Sequence, residues 1–110
     1  MYREREVAVV IPAYRAKETI VEVVEAVPEW VDHIIVVDDA CPQNAGPHLL
    51  KTISDRRLTL VRHERNCGVG AATVSGYLKA IDFGCDIAVK VDSDGKMDLE
   101  LLHLFVEPIA

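Results

Sequence analysis

The run Val7-Ala8-Val9-Val10-Ile11 constrains this chain more than any other feature, because it is apolar at every position, with no polar alternation. A strand with one wet face alternates, whereas a strand apolar throughout is covered on both faces, as in a parallel sheet lying between helices. Pro12 is expected to end that strand. Three further runs are predicted as strands, His33–Val37, Leu58–Arg62 and Ile87–Val91, and helical patterns separate them. The first predicted helix, about Lys17–Val27, sets Ile20, Val23, Val24 and Val27 opposite Glu18, Glu22, Glu25 and Glu29, and Pro28 closes it. After a long turn through Pro42, Asn44, Gly46 and Pro47, a short helix is predicted over about His48–Ser54. The next helix follows the loop Asn66-Cys67-Gly68-Val69-Gly70 and carries Ala71, Val74, Leu78 and Ile81 on one apolar face, with Gly84 as its C-terminal cap. The last begins near Asp98, an N-cap residue, and runs to about Val106. Such alternation with right-handed crossovers predicts an α/β fold: a Rossmann-like parallel sheet of about four strands with flanking helices.

At 110 residues the chain fits one domain or part of one, with a single modest core. Twelve basic residues against 18 acidic ones, a net charge of −6, argue against a nucleic-acid scaffold, so no nucleic-acid partner is expected. No apolar stretch approaches the ~20 residues that span a bilayer. The opening Met1-Tyr2-Arg3-Glu4-Arg5-Glu6 lacks the layout of a secretory signal, so a cytoplasmic chain is expected. Cys41, Cys67 and Cys85 are odd in number and far apart, and are read as reduced thiols. His33, His48, His63 and His103 are scattered and read as surface or half-buried structural residues, with no nucleophile triad in evidence.

In sheets of this type ligands collect at the carboxyl ends of the strands, and the chemistry-bearing residues fall there. They are Pro12-Ala13-Tyr14, Asp38-Asp39, the stretch from Arg62 to Gly70, and Asp92-Ser93-Asp94. Asp92 and Asp94 lie two apart, so in extended backbone both carboxylates point to one side and can share a hard cation, Mg²⁺ or Mn²⁺, whose remaining ligands are water and substrate phosphate. The same residues equally read as a turn with solvated acids. A calcium-binding loop is excluded, because placing Gly95 at its sixth position puts Lys90 and Leu101 where ligands belong. Asp38 and Asp39 are adjacent and face opposite sides; one can accept from a nucleobase N–H or a ribose hydroxyl, or else close an Asx turn. Tyr14 offers a flat ring for a base, or is a packing residue. Gly68 and Gly70 at a helix start, with Arg62 and Arg65 upstream, suit a phosphate, or form a tight turn beside solvated arginines. Thr73 stands where a dinucleotide fingerprint needs its third glycine, and no Walker A sequence occurs.

Taken in order, Val9-Val10-Ile11-Pro12-Ala13-Tyr14, Val36-Val37-Asp38-Asp39, Asn66-x-Gly68-x-Gly70-Ala71-Ala72 and Asp92-x-Asp94-Gly95 resemble the nucleotide-sugar-binding half of family 2 glycosyltransferases, the GT-A fold. The stretch from Asp92 to Asp98 is most similar to the branch that joins sugars to polyprenyl phosphates, the dolichyl-phosphate mannose and glucose synthases. The resemblance implies that Asp39 contacts the base, uridine or guanosine, and that Pro12, Ala13 and Tyr14 line the nucleotide pocket. Arg65, Gly68 and Gly70 would serve the donor as well. Asp92 and Asp94 would be the catalytic Asp-x-Asp pair around Mg²⁺ or Mn²⁺, with Asp94 the principal ligand. It further implies transfer with inversion by direct displacement, in which a phosphate acceptor is itself the nucleophile.

A complete GT-A domain of that family is about twice as long. Residues 1–110 are therefore expected to form the donor-binding half of a truncated GT-A domain, inactive alone. Its partners would be a nucleoside-diphosphate sugar, a polyprenyl-phosphate acceptor in the parent protein at the cytoplasmic membrane face, and a second copy through surface left bare. The alternative from another class is a receiver-like Mg²⁺-binding signalling domain, in which Asp38-Asp39 would hold the ion.

Overall fold

Every one of the seven residues of strand β1, Val7–Ala13, is buried, as a fully apolar strand requires. The computed structural model describes residues 1–40 and 42–109; Cys41, read above as a reduced thiol, lies outside the described residues. After β1 come α1 (Ile20–Glu25), β2 (His33–Asp38), α2 (Ala45–Thr52), β3 (Leu58–Arg62), α3 (Val69–Asp82), β4 (Ile87–Lys90) and α4 (His103–Val106). The four strands form one parallel sheet in the order β3-β2-β1-β4, so β1 has a partner on each side. The expected α/β architecture is present. Alternate residues divide the core between the two faces of the sheet. Val9, Ile11, Ile34 and Val36 pack with Ile20, Val24, Leu49 and Leu102, while Ala8, Val10, Ile35 and Val37 pack with Ala72 and Ala80 of α3.

Pro12 does not end β1. The Val10 carbonyl accepts from Val91 N–H at 2.8 Å, so Val10, and with it Pro12 two residues on, faces β4. Pairing with β4 stops at Val10–Lys90, and the proline's missing N–H falls where there is no strand to meet, while the β2 side continues through Ala13–Asp38.

The apolar face expected of α3 points outward. Leu78 is 58% exposed and Ile81 69%, and the buried residues are Ala72, Gly76 and Ala80. Size, not hydropathy, decides the orientation: a Cβ placed on Gly76 would lie 2.2 Å from Val10 Cγ1, so only a glycine lets the helix backbone come this close to β1. The helix ends in a Schellman motif, with Gly84 at φ 75° and bonds from Gly84 N–H to Ile81 O and from Cys85 N–H to Ala80 O.

Elsewhere the boundaries shift for local reasons. α1 is shorter than expected because residues 17–19 form a turn closed by Ile20 N–H on Ala16 O. α2 starts earlier, since Pro47 sits in its first turn, where no intrahelical N–H is required. The C-terminal helix is broken into a 3₁₀ turn, Leu99–Leu101, then α4 and a second 3₁₀ turn, although Asp98 does cap its start by accepting from Glu100 N–H at 3.0 Å. Cys67 and Cys85 are free thiols. No described helix is long and apolar enough to cross a membrane.

Gly76→Ala is expected to lower unfolding free energy by roughly 1–3 kcal/mol through overpacking against Val10, despite alanine's better helix propensity. Ile81→Lys on the outward face should change it by less than about 0.5 kcal/mol, and urea unfolding of the two variants checks the contrast.

Candidate functional site

A cleft of about 420 Å³ opens at the carboxyl end of the sheet. Pro12, Ala13 and Tyr14 from the end of β1, Asp39 after β2, Asn66 and Gly68 after β3, and Asp92 to Asp94 after β4 all line it. Four separate strand ends thus meet at one place. Arg65 and Gly70 do not line this cleft; both are exposed, Gly70 in the first turn of α3.

The two aspartates that end β2 do diverge. Asp38 is fully buried, its Oδ2 3.3 Å from Gly46 N and 3.6 Å from Arg62 Nε. Arg62 also donates to Asn44 Oδ1 at 3.2 Å, so it serves this packing and not the cleft. Asp39 turns the other way and is 2% exposed. Its Oδ1 accepts from Cys67 N–H at 2.8 Å and meets His63 Nδ1 at 2.8 Å, and its Oδ2 accepts from Gly68 N–H at 2.9 Å. The backbone amides expected to greet a phosphate at the start of α3 are instead directed at this carboxylate. Gly68, at φ 93°, takes a conformation few other residues adopt, which turns its N–H onto Asp39.

Burial alone would raise the Asp39 carboxyl, but the N–H groups of Cys67, His63 and Gly68 outweigh it and hold the group below the 3.8 of an unperturbed aspartate. It is therefore an anion with three of its four lone-pair positions filled, which leaves one acceptor position on Oδ2. His63 is the partner that sequence reasoning missed. Its Nδ1 carries the proton given to Asp39, and its Nε2 is hydrogen-bonded to Ser75 Oγ at 2.8 Å. The order of contacts is that of a nucleophile triad, but Ser75 sits in mid-helix and does not line the cleft. The chain of bonds ties the loop before α3 to the helix itself. Contacts across 24 and 12 residues leave no local signal from which they could be read.

Asp92 lines the cleft from the residue just before a turn and Asp94 from within that turn, with Gly95 at φ 77°. Asp94 Oδ1 accepts from Lys96 N–H at 3.0 Å, Asp92 Oδ1 lies 3.4 Å from Lys90 Nζ, and the Thr19 hydroxyl donates to the Ser93 carbonyl, which fixes the turn against the start of α1. The Asp92 side chain is 65% exposed, so its carboxylate remains open to a ligand from solution. At the mouth, Tyr14 is exposed, with the Arg15 guanidinium 5.4 Å from its ring centre.

The family model described as "Glycosyl transferase family 2" matches residues 8–110. The chain belongs to that family. Among relatives of this family 2 chain, a UDP-N-acetylglucosamine–dolichyl-phosphate N-acetylglucosaminyltransferase of Methanococcus voltae is 30% identical over 96% of the chain and 48% of its own length. An undecaprenyl-phosphate mannosyltransferase of Micrococcus luteus is 29% identical, over 94% of the chain and 44% of the relative. The succinoglycan biosynthesis protein ExoO of Rhizobium meliloti is 36% identical, over 93% and 29%. The chain thus spans half or less of the length of these relatives. The crystal structure of S. aureus TarS 1-349 superposes with a TM-score of 0.68 at 20% identity, covering 94% of this chain and 32% of that one, which is a likeness of fold, the GT-A sheet.

The Asp39 contacts predict a pH signature for this family 2 chain. Because its native carboxyl titrates below its unfolded value, the stability it adds is complete above the unfolded value and is lost as pH falls through the lower native one. Thermal melts between about pH 3 and pH 7 should show wild type losing more stability on acidification than Asp39→Asn, with the difference confined to the region below about pH 4.

Proposed function

We propose that residues 1–110 form the donor-binding half of a glycosyltransferase that takes a nucleoside-diphosphate sugar and transfers the sugar, with inversion, to a polyprenyl phosphate. The observation that carries this reading is the convergence of four strand-end loops on one cleft in a family 2 chain. Tyr14 presents a ring face for the base, and the acceptor position left on Asp39 suits a base N–H, such as that of uracil or guanine. The loop before α3 is pinned by Asp39 and so presents its surface in one conformation.

Asp92 and Asp94 fit a hard divalent cation: both offer carboxylate oxygens to the same cleft, and only one oxygen of each is engaged by a neighbouring group. Mg²⁺ or Mn²⁺ held there would supply charge neutralisation to a departing diphosphate. The polyprenyl-phosphate acceptor is supported by the names of two relatives, one a dolichyl-phosphate and one an undecaprenyl-phosphate enzyme. The proposal locates the chain in the cytoplasm, with the parent protein at the membrane face where such an acceptor lies. It includes self-association through the last helical segment, where Leu101, Leu104 and Phe105 are exposed, and the open sheet edge. Light scattering should then show mass rising with concentration, and a constant monomer mass would remove that part.

Calorimetric titration with UDP and GDP, each with and without Mn²⁺, tests the donor site. One nucleotide should bind in a metal-dependent way, and Asp94→Ala should lower its affinity at least about tenfold, or about 1.4 kcal/mol. A folded chain that binds neither nucleotide, or a variant that binds as wild type does, overturns the assignment.

A further inference from the structure

At the end of the sheet opposite the cleft, three side chains of metal-binding type converge from three different elements. Glu6 immediately precedes β1, His33 opens β2 and Cys85 lies in the turn from α3 to β4. One ligand atom of each lies within 4.8 Å of the other two. Their backbones are fixed. Glu6 O accepts from Asp86 N–H at 2.9 Å and Ile87 N–H at 3.0 Å, and Glu6 N–H donates to Asp86 Oδ2 at 2.8 Å. Cys85 is set by its Schellman bond to Ala80 O at 3.0 Å, and the His33 ring stacks on Phe83 with centroids 4.7 Å apart and planes at 23°.

The ligand atoms themselves are uncommitted. His33 Nε2 and Glu6 Oε2 stand 3.9 Å apart, beyond hydrogen-bond length, and among the described residues Cys85 Sγ makes no hydrogen bond. The second Cys/His/Asp group, Asp39, His63 and Cys67, differs in this respect. There both ring nitrogens and both carboxylate oxygens are already engaged, so a cation would have to dismantle the Asp39 contacts.

We propose that Glu6, His33 and Cys85 form a three-residue Zn²⁺ site that fastens the start of β1, the start of β2 and the α3–β4 turn to one another. A mixed thiolate, imidazole and carboxylate set selects zinc over Mg²⁺ or Mn²⁺, which prefer oxygen throughout. Zinc bonds of about 2.0–2.3 Å bring tetrahedral ligand atoms to about 3.3–3.8 Å from one another, a closure within the reach of side-chain rotation. All three residues are partly exposed, so a fourth position would be open to water. On binding, the Cys85 S–H bond breaks, the proton passes to solvent and the sulfur donates its electron pair to the metal, with no change of oxidation state. The site is independent of the donor cleft.

Titration of the metal-free chain with Co²⁺, followed by absorption, tests this directly. The expected result is a thiolate-to-cobalt charge-transfer band that saturates at about one equivalent, is displaced by Zn²⁺, and is lost in Cys85→Ser and in His33→Asn but kept in Cys67→Ser and Asp94→Ala. Zn²⁺ should also raise the melting temperature of wild type and of Cys67→Ser, and leave those of Glu6→Gln and His33→Asn where they were. A wild-type chain without the band, or a band that survives Cys85→Ser, overturns the proposal. Should Cys85→Ser not fold, an unchanged band in both His33→Asn and Glu6→Gln overturns it equally.

Discussion

The close approach of α3 to the central strand is the constraint on which the rest of the structure depends. Ala72, Gly76 and Ala80 recur every four residues, and the missing side chain of Gly76 admits Val10 into the space a Cβ would fill. Because the helix backbone rides that low on the sheet, its start is delivered to the level of the strand ends, where Asp39 can reach the amides of Cys67 and Gly68. Ser75, next to Gly76 on the same helix, then meets His63. One packing decision therefore sets the geometry of the cleft wall.

Asp39 is the electrostatic counterpart of that packing. A carboxylate buried this deeply is tolerated only when donors surround it, and here they come from the loop that the fold must hold still. A buried acid that anchors a loop at the cleft wall has little freedom to vary. Asp38 beside it does a different job, bracing Gly46 at the start of α2 and Arg62 at the end of β3. Two adjacent acids thus stabilise opposite sides of the sheet.

What was legible in the sequence follows the physics that produces local signals. The fully apolar β1, the alternation of elements and the polar strand ends follow from burial and turn chemistry, and they suffice for the parallel sheet and for the loops that meet at the cleft. Pro12 misled because its tolerance depends on where a neighbouring strand stops, which lies some 80 residues away in the chain. The outward face of α3 was invisible to hydropathy, since a stripe of small residues, Ala72-Gly76-Ala80, outcompetes Val74, Leu78 and Ile81 by fitting closer. The His63 link and the Glu6, His33 and Cys85 cluster join residues that only the finished sheet brings together.

The position of β4 in the sheet has a consequence for how the chain acquires this structure during synthesis. β1 pairs on one flank with β2, made soon after it, but on the other flank it must wait for β4, as the register Val7–Ile87 requires. Until then the fully apolar β1 has one bare edge, so the emerging chain carries an unpaired template while β2, α2, β3 and α3 are made. The strand that closes that edge is also the one that leads into Asp92 and Asp94, so the same pairing brings the fourth loop to the cleft.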